Sequence, residues 1–331
     1  MKYCFVVSAC SKYVPELCAL LNSFDLIGNK HDVKLIGYQL PASFTSQFSK
    51  LGFQVDLYDV PEAEARLYGG ESEIVCRKRY WYAAEWGQAY DAVCVLDADM
   101  VMVRDVDQYF EIAARCGFIV GASLEQKRVY GHIDHHKVRG QQLIEPTWNP
   151  RDICCAPMFV DMKVYGDLFR ECWQIFADGF PETNFKAPDM ESFNLLILHR
   201  KLTDKVLLVS NPQFVGTNEK LLKPYLRAIG QSHDPAPGGK LWTETGDPIY
   251  VLHGQFYKKK WRKQQLLNRK GCADTYLGGS ANCDRMSAGA LEGLHEYFKK
   301  CLDYKIQVEK KAYTTDGHPD FTMAERGEVL I

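Results

Sequence analysis

Short apolar runs alternate along the chain with longer segments in which large apolar residues recur at helical spacing. Continuous apolar runs bounded by turn residues predict buried strands, and the longer segments predict helices. The predicted strands are residues 3–9, 32–40, 53–60, 92–96, a run that begins at 154, and 248–253. The predicted helices are residues 14–25, 42–51, 72–88, a segment that ends near 178, 187–200 and 288–302. Strands that alternate with helices indicate an α/β protein with a mainly parallel sheet.

Two acids, Asp97 and Asp99, follow directly after the apolar strand 92–96. Buried carboxylates are costly unless they are paired or bind a metal. If the strand continued, both side chains would point to the same side, because side chains alternate with period two. In open α/β sheets ligands bind at the carboxyl ends of strands, which is where these acids lie. The pattern therefore predicts a site for a hard divalent cation.

An apolar strand that ends in Asp is also typical of nucleotide-triphosphate-binding proteins of the P-loop class. That interpretation requires a phosphate-binding segment of the form G-x-x-x-x-G-K-[ST]. The sequence has no such segment, so this class is excluded.

Composition narrows the class of protein. The chain has 331 residues, a hydrophobic fraction of 46% and a charged fraction of 25%, which suffice for one large α/β domain or two smaller ones. A net charge of -2 argues against a nucleic-acid-binding protein whose whole surface is basic. No apolar segment is long enough to span a bilayer, and the start resembles a strand more than a signal peptide. The 12 cysteines include no C-x-x-C pair, so we expect a reducing, cytoplasmic location.

The order of several motifs resembles glycosyltransferases of the GT-A fold, and among them family eight, the glycogenin-like retaining enzymes. An N-terminal strand, the D-x-D strand, a helix that begins near an Asp, and a His-x5-Lys-x-Trp segment recur in this order in that family. His253, Lys259 and Trp261 have the required spacing. The family's Asn-Ala-Gly segment is replaced here by Cys155-Ala156-Pro157. The resemblance covers roughly residues 3–262.

The resemblance implies a Rossmann-like, mainly parallel sheet flanked by helices in a single domain. We assign residues 1–265 to this GT-A domain, with a nucleotide-binding half at 1–115 and an acceptor half at 116–265. Residues 266–331 are then a C-terminal extension with one helix and a polar tail.

The implied donor is a nucleotide sugar, most often a UDP-sugar, bound with Mn²⁺ or Mg²⁺. Asp97, Asp99 and His253 would be the metal ligands, a carboxylate and imidazole set that suits Mn²⁺. Lys259 would add a fixed positive charge on the diphosphate. The implied donor-binding residues are Ser8, Ala9, Tyr13, Arg77, Lys78, Asp97, Ala98, Asp99, Gly254 and Lys259.

Individual members of this set have simpler alternatives. Tyr13 would pack on the uracil, but it is also a plausible surface aromatic at a helix start. Arg77 and Lys78 belong to the basic run 77–79, any member of which is equally well explained as a solvated charge. A buried core histidine is the alternative for His253.

Asp189 is the candidate for the residue beside the transferred sugar, and Glu191 is its reserve. Both lie near the predicted start of the helix 187–200. An Asp at this place is also a favoured N-terminal cap that complements the helix dipole. Both interpretations stay open.

Two polar regions bear on the acceptor. His132, His135 and His136 lie in the long predicted loop 123–153, as part of an acceptor-site loop or of an inert one. The run 258–270 is strongly basic and has no acid, which suits an anionic acceptor such as nucleic acid, a lipid headgroup or a phosphosugar. A solvated surface explains the run equally well.

Two other functions compete with glycosyl transfer. A nucleotidyltransferase that makes a nucleotide sugar would have a glycine-rich basic loop after the first strand, and the segment SACSKYVPEL lacks it. A non-catalytic nucleotide-sugar-binding protein would be favoured by loss of the metal ligands, yet both acids and the His are present.

Overall fold

The structure is a computed structural model that describes residues 1–66, 79–123, 137–138, 141–142, 153–179, 188–209, 214–216, 219–230, 249–253 and 297–308. Its strands are β1 (Tyr3–Cys10), β2 (Asp32–Tyr38), β3 (Val55–Asp59), β4 (Ala92–Asp97), β5 (Met100–Met102), β6 (Ile119–Ser123), β7 (Lys137–Val138), β8 (Gln141–Gln142), β9 (Ile153–Asp161), β10 (Val206–Leu208), β11 (Phe214–Gly216) and β12 (Ile249–His253). Its α-helices are α1 (Val14–Leu26), α2 (Ala42–Thr45), α3 (Glu62–Arg66), α4 (Arg79–Gly87), α5 (Asp107–Cys116), α6 (Met162–Gly179), α7 (Pro188–His199) and α8 (Glu219–Ala228). Short 3₁₀ turns occupy Ser11–Tyr13, Phe48–Lys50 and Thr203–Lys205.

The main sheet has seven strands in the order β10-β6-β9-β4-β1-β2-β3. The pairs β1–β2, β1–β4, β2–β3 and β10–β6 are parallel, whereas β9 runs antiparallel to both β4 and β6. A second sheet of three antiparallel strands has the order β11-β12-β5. The predicted α/β class with a mainly parallel sheet is therefore confirmed.

The local sequence explains the central elements. Every residue of β1 is buried, as expected for a strand covered on both faces. Helix α1 begins with Pro15 in its first turn and is buried on all sides from Val14 to Phe24. Helix α5 ends at Cys116 and is capped by Gly117, whose φ of +69° gives the left-handed conformation that closes many helices.

Three predicted elements differ from the structure. The predicted helix 42–51 is a single turn, α2, followed by the 3₁₀ turn Phe48–Lys50. The loop predicted at 123–153 contains β7 and β8, which pair as a two-stranded sheet. The strand that carries the acids ends at Asp97 and does not continue through Asp99.

The described part of the C-terminal extension is helical at residues 297–302. This part packs against α1. The boundaries of the two halves and of the extension stay a prediction. Across the described residues, no helix combines the length and the apolar character that crossing a membrane requires. The cytoplasmic location also stays a prediction.

Candidate functional site

Asp97 is the last residue of β4, at the carboxyl end of the parallel part of the main sheet. In the register of β1 with β4, Ser8 lies opposite Asp97. The apolar residues 92–96 are fully buried, so the sheet holds Asp97 at a fixed place between its interior and solvent. Such a strand end is where open α/β sheets bind ligands.

Asp99 also lies beside Asp97, but a turn places it there and not the side-chain alternation of a continued strand. Ala98 and Asp99 form a turn, after which β5 leaves the main sheet and pairs with β12 in the three-stranded sheet. In that register His253 lies opposite Met100, the residue after Asp99. The turn thus brings Asp99 next to both Asp97 and His253.

The three side chains form one cluster. His253 Nε2 lies 3.3 Å from Asp97 Oδ2 and 3.3 Å from Asp99 Oδ1. One ligand-type atom from each of the three residues lies within 4.8 Å of the others. The three residues come from positions 97, 99 and 253 of the chain, and the fold brings them together as the sequence motifs predicted.

Arg79, the third member of the basic run 77–79, completes the cluster, whereas Arg77 and Lys78 were the members assigned to donor binding. It begins α4 and its side chain is 7% exposed. Its Nη1 pairs with Asp97 Oδ1 and donates to the Leu96 carbonyl at 3.4 Å. Because Arg79 occupies Oδ1, Oδ2 is the Asp97 oxygen that faces His253.

The charges of these groups support one another. Burial raises the pKa of Asp97, but the Arg79 guanidinium and His253 outweigh it and hold that pKa below its ordinary value. Burial lowers the pKa of His253, but the carboxylates of Asp99 and Asp97 raise it by more. The resulting pKa lies well above its ordinary value. The two carboxylates beside His253 therefore favour the protonated form of its ring.

The cluster fits a divalent cation. Metal–oxygen bonds of about 2.1 Å at right angles separate two ligand atoms by about 3.0 Å, close to the 3.3 Å between His253 Nε2 and each carboxylate oxygen. Two carboxylates and one imidazole are ligands that Mn²⁺ accepts, and Mg²⁺ accepts the carboxylates. Asp97, Asp99 and His253 would hold such a cation, and Arg79 pairs with the Asp97 oxygen that does not face His253.

The predicted base-binding residues lie at the end of β1 beside this cluster. Ser8 and Ala9 are buried, with 5% and 1% of their surface exposed, and Ser8 lies opposite Asp97 in the sheet. Tyr13 ends the 3₁₀ turn that follows β1 and is partly buried against the core. Ala98 lies in the turn between the two acids and is 6% exposed.

Helix α7 begins at Pro188, so Asp189 lies in its first turn, as predicted. The side chains of Asp189 and Glu191 lie outside what the structure describes. Asn194, farther along α7, bridges the backbone of Ile153 with hydrogen bonds of 2.9 and 3.0 Å. The next residue, Cys154, hydrogen-bonds to His253, so α7 is connected to the cluster through β9.

Several predicted residues lie outside the described parts of the chain. They are Arg77, Lys78, His132, His135, His136, Gly254, Lys259 and Trp261. Their roles stay predictions.

No family model matches the chain, and no curated protein matches it. Among solved structures, the fold is similar to that of an active-site mutant of LgtC, a GT-A glycosyltransferase. The match has a TM-score of 0.51 and 10% sequence identity, and covers 90% of this chain and 94% of that one. The fold is thus the GT-A fold that the motifs predicted. Membership of family eight stays a prediction.

Proposed function

We propose that this protein is a metal-dependent, retaining glycosyltransferase that moves a hexose or pentose from a UDP-sugar to an acceptor. The observation that carries the proposal is the convergence of Asp97, Asp99 and His253 at the carboxyl end of β4. Their chemistry and spacing suit the cation that accompanies a nucleotide diphosphate. The GT-A fold supports the same conclusion, because it supplies this sheet edge as a donor site.

Asp97, Asp99 and His253 would hold Mn²⁺ or Mg²⁺, which when bound supplies Lewis-acid stabilisation of the departing diphosphate. Arg79 fixes the orientation of the Asp97 carboxylate through their ion pair. Lys259 would contact the same phosphates, since a fixed positive charge stabilises the negative charge that develops during transfer.

The remaining donor contacts follow from the sheet edge. The backbone of Ser8 and Ala9 would hydrogen-bond the uracil, and Tyr13 would pack on its ring; Ser8 lies directly opposite Asp97 in the sheet register. Ala98 and Gly254 adjoin the metal ligands in sequence and would allow the diphosphate to approach the backbone closely. Arg77 and Lys78, which precede Arg79, would add positive charge near the phosphates or the sugar.

Asp189 would stabilise positive charge at the anomeric carbon of the transferred sugar, with Glu191 as the second candidate. The connection of α7 to the cluster, through Asn194, Ile153 and Cys154, supports this assignment. Retention of anomeric configuration follows from the family-eight resemblance. The acceptor would be anionic, in keeping with the basic run 258–270.

The direct test is a screen of nucleotide sugars for hydrolysis with Mn²⁺ and with EDTA. We expect hydrolysis of a UDP-sugar that requires Mn²⁺ and falls at least about 100-fold in Asp99→Asn, because a direct metal ligand is lost. Asp204→Asn, at an exposed carboxylate whose side chain is 71% exposed, is the matched control and should match the wild type.

Other outcomes identify the competing functions. If UDP-sugars bind but are neither hydrolysed nor transferred when mixtures of candidate acceptors are added, the protein is a binding protein. Release of pyrophosphate from UTP and a sugar phosphate would indicate a nucleotidyltransferase. Mn²⁺-dependent turnover that Asp99→Asn leaves unchanged would contradict the metal assignment.

A further inference from the structure

Residues 297–308, here called the C-terminal segment, pack against α1, although the bonded residues are 279 or more positions apart in the sequence. Asn22, which is fully buried in α1, makes four hydrogen bonds to the backbone of this segment. Its Nδ2 donates to the carbonyls of Cys301 at 2.7 Å and Ile306 at 2.8 Å. Its Oδ1 accepts from the backbone N–H groups of Lys305 at 3.2 Å and Ile306 at 3.0 Å. The side chain of Asn22 is thus fully satisfied by one partner segment.

Two further contacts extend this attachment beyond Asn22. Lys305 Nζ lies 2.7 Å from the Asp25 carboxylate at the end of α1. Gln47 donates to the Gln307 carbonyl at 2.8 Å and accepts from its N–H at 3.0 Å. These contacts fix the position of the C-terminal segment relative to α1 and to Gln47.

The segment also contacts β5, the strand that follows Asp99. The Tyr297 hydroxyl donates to the Met102 carbonyl at 2.5 Å, and the Met102 N–H donates to Ser23 Oγ at 2.8 Å. In a strand the N–H and C=O of one residue point to the same side. The edge of β5 that faces away from β12 is therefore bonded to α1 and to the C-terminal segment, which Asn22 joins to each other.

The position of β5 determines the geometry of the cluster. Asp99 is directly followed by Met100, which lies opposite His253 in the register of β5 with β12. A strand of three residues has few ladder bonds of its own, so the contacts on its outer edge are a large share of what holds it. A shift of β5 would change the separation of the Asp99 carboxylate from Asp97, which is held independently by β4.

We propose that Tyr297 is a positioning residue of the candidate metal site. The C-terminal segment would then serve this site by holding β5 against α1. Through its bond to Met102, Tyr297 sets the place of β5 and so of Asp99 relative to Asp97 and His253. The metal-binding consequence rests on the proposed function, whereas the positioning of His253 and Asp99 does not.

The test replaces only the hydroxyl, in Tyr297→Phe. The matched control is Tyr165→Phe, because the Tyr165 hydroxyl also donates to a backbone carbonyl, that of Gly117 at 3.0 Å, away from the cluster. Mn²⁺ affinity is measured by electron paramagnetic resonance, and melting temperature is measured on the same samples. We expect Tyr297→Phe to bind Mn²⁺ about 3- to 10-fold more weakly, less than loss of a direct ligand partner, and Tyr165→Phe to bind it as the wild type does.

A second readout needs no metal. In protein with ¹⁵N-labelled histidine, the ring signals of His253, assigned by their absence in His253→Gln, should shift in Tyr297→Phe and stay in place in Tyr165→Phe. Wild-type Mn²⁺ affinity together with unchanged His253 signals in Tyr297→Phe would overturn the proposal. If the wild type binds no Mn²⁺, the metal assignment of the proposed function is wrong, and the His253 signals alone decide whether Tyr297 positions the cluster.

Discussion

The seven-stranded and the three-stranded sheet contribute to the same cluster in different ways. Asp97 ends β4, a strand with neighbours on both sides, and is paired with the buried Arg79. Asp99 directly precedes β5, the edge strand of the small sheet, which has only three residues and is held by Ser23 and Tyr297. His253 ends β12, the central strand of that sheet. One acid of the motif thus also neutralises a buried arginine, whereas the other pairs with His253.

Replacing the two acids one at a time should separate these roles most strongly. Asp97→Asn removes the carboxylate that pairs with the buried Arg79 guanidinium. We expect the free energy of unfolding to fall by about 2–4 kcal/mol, somewhat less than for a fully buried pair because Asp97 is partly exposed. Asp99→Asn should cost about 1 kcal/mol or less, as for partly exposed ion pairs.

Urea unfolding of both variants in the presence of EDTA measures this difference without a contribution from bound metal. Equal losses in the two variants would contradict the separation of roles. A loss confined to Asp99→Asn would reverse it.

A smaller effect is expected where α1 holds the C-terminal segment. Asn22→Ala removes four hydrogen bonds at a buried position, and the backbone groups left without partners should lower the free energy of unfolding by about 1–3 kcal/mol. Asn29→Ala is the control, since Asn29 also bridges a backbone, that of His31, but in a local and partly exposed turn.

Hydrogen exchange shows whether the stability lost in Asn22→Ala is confined to β5 and the C-terminal segment. In Asn22→Ala we expect lost protection in residues 301–306 and in β5, and retained protection in β1 and β2, because regions of different stability open separately. Uniform loss of protection across all strands would show instead that the two sheets are held as one unit.

Continuous patterns in the sequence predicted five of the seven strands of the main sheet, namely β1, β2, β3, β4 and β9. The buried run 92–96 and the helix that begins at Pro188 both lie where apolar periodicity predicted them. His253 was predicted from its spacing to Lys259 and Trp261, and it lies beside Asp97 and Asp99. These features could be predicted because apolar periodicity and motif spacing are visible in short stretches of the sequence.

Features that depend on three-dimensional neighbours were missed. Met100–Met102 is apolar, so its pattern is the same whether the strand continues or leaves for another sheet. The basic run 77–79 carries no local sign of which member pairs with Asp97, and it is tertiary packing that places Arg79 beside that acid. Asn22 bonds to residues about 280 positions away, which no local pattern indicates.

The central claim is that Asp97, Asp99 and His253 hold a cation that binds a nucleotide diphosphate. Isothermal titration of UDP into the wild type, with Mn²⁺ and with EDTA, tests it most directly. We predict binding at least about 10-fold tighter with Mn²⁺, equivalent to about 1.4 kcal/mol, an effect that is lost in Asp99→Asn and kept in Asp204→Asn. Equal UDP affinity with and without Mn²⁺ in the wild type, or a Mn²⁺ effect that survives in Asp99→Asn, would contradict the claim.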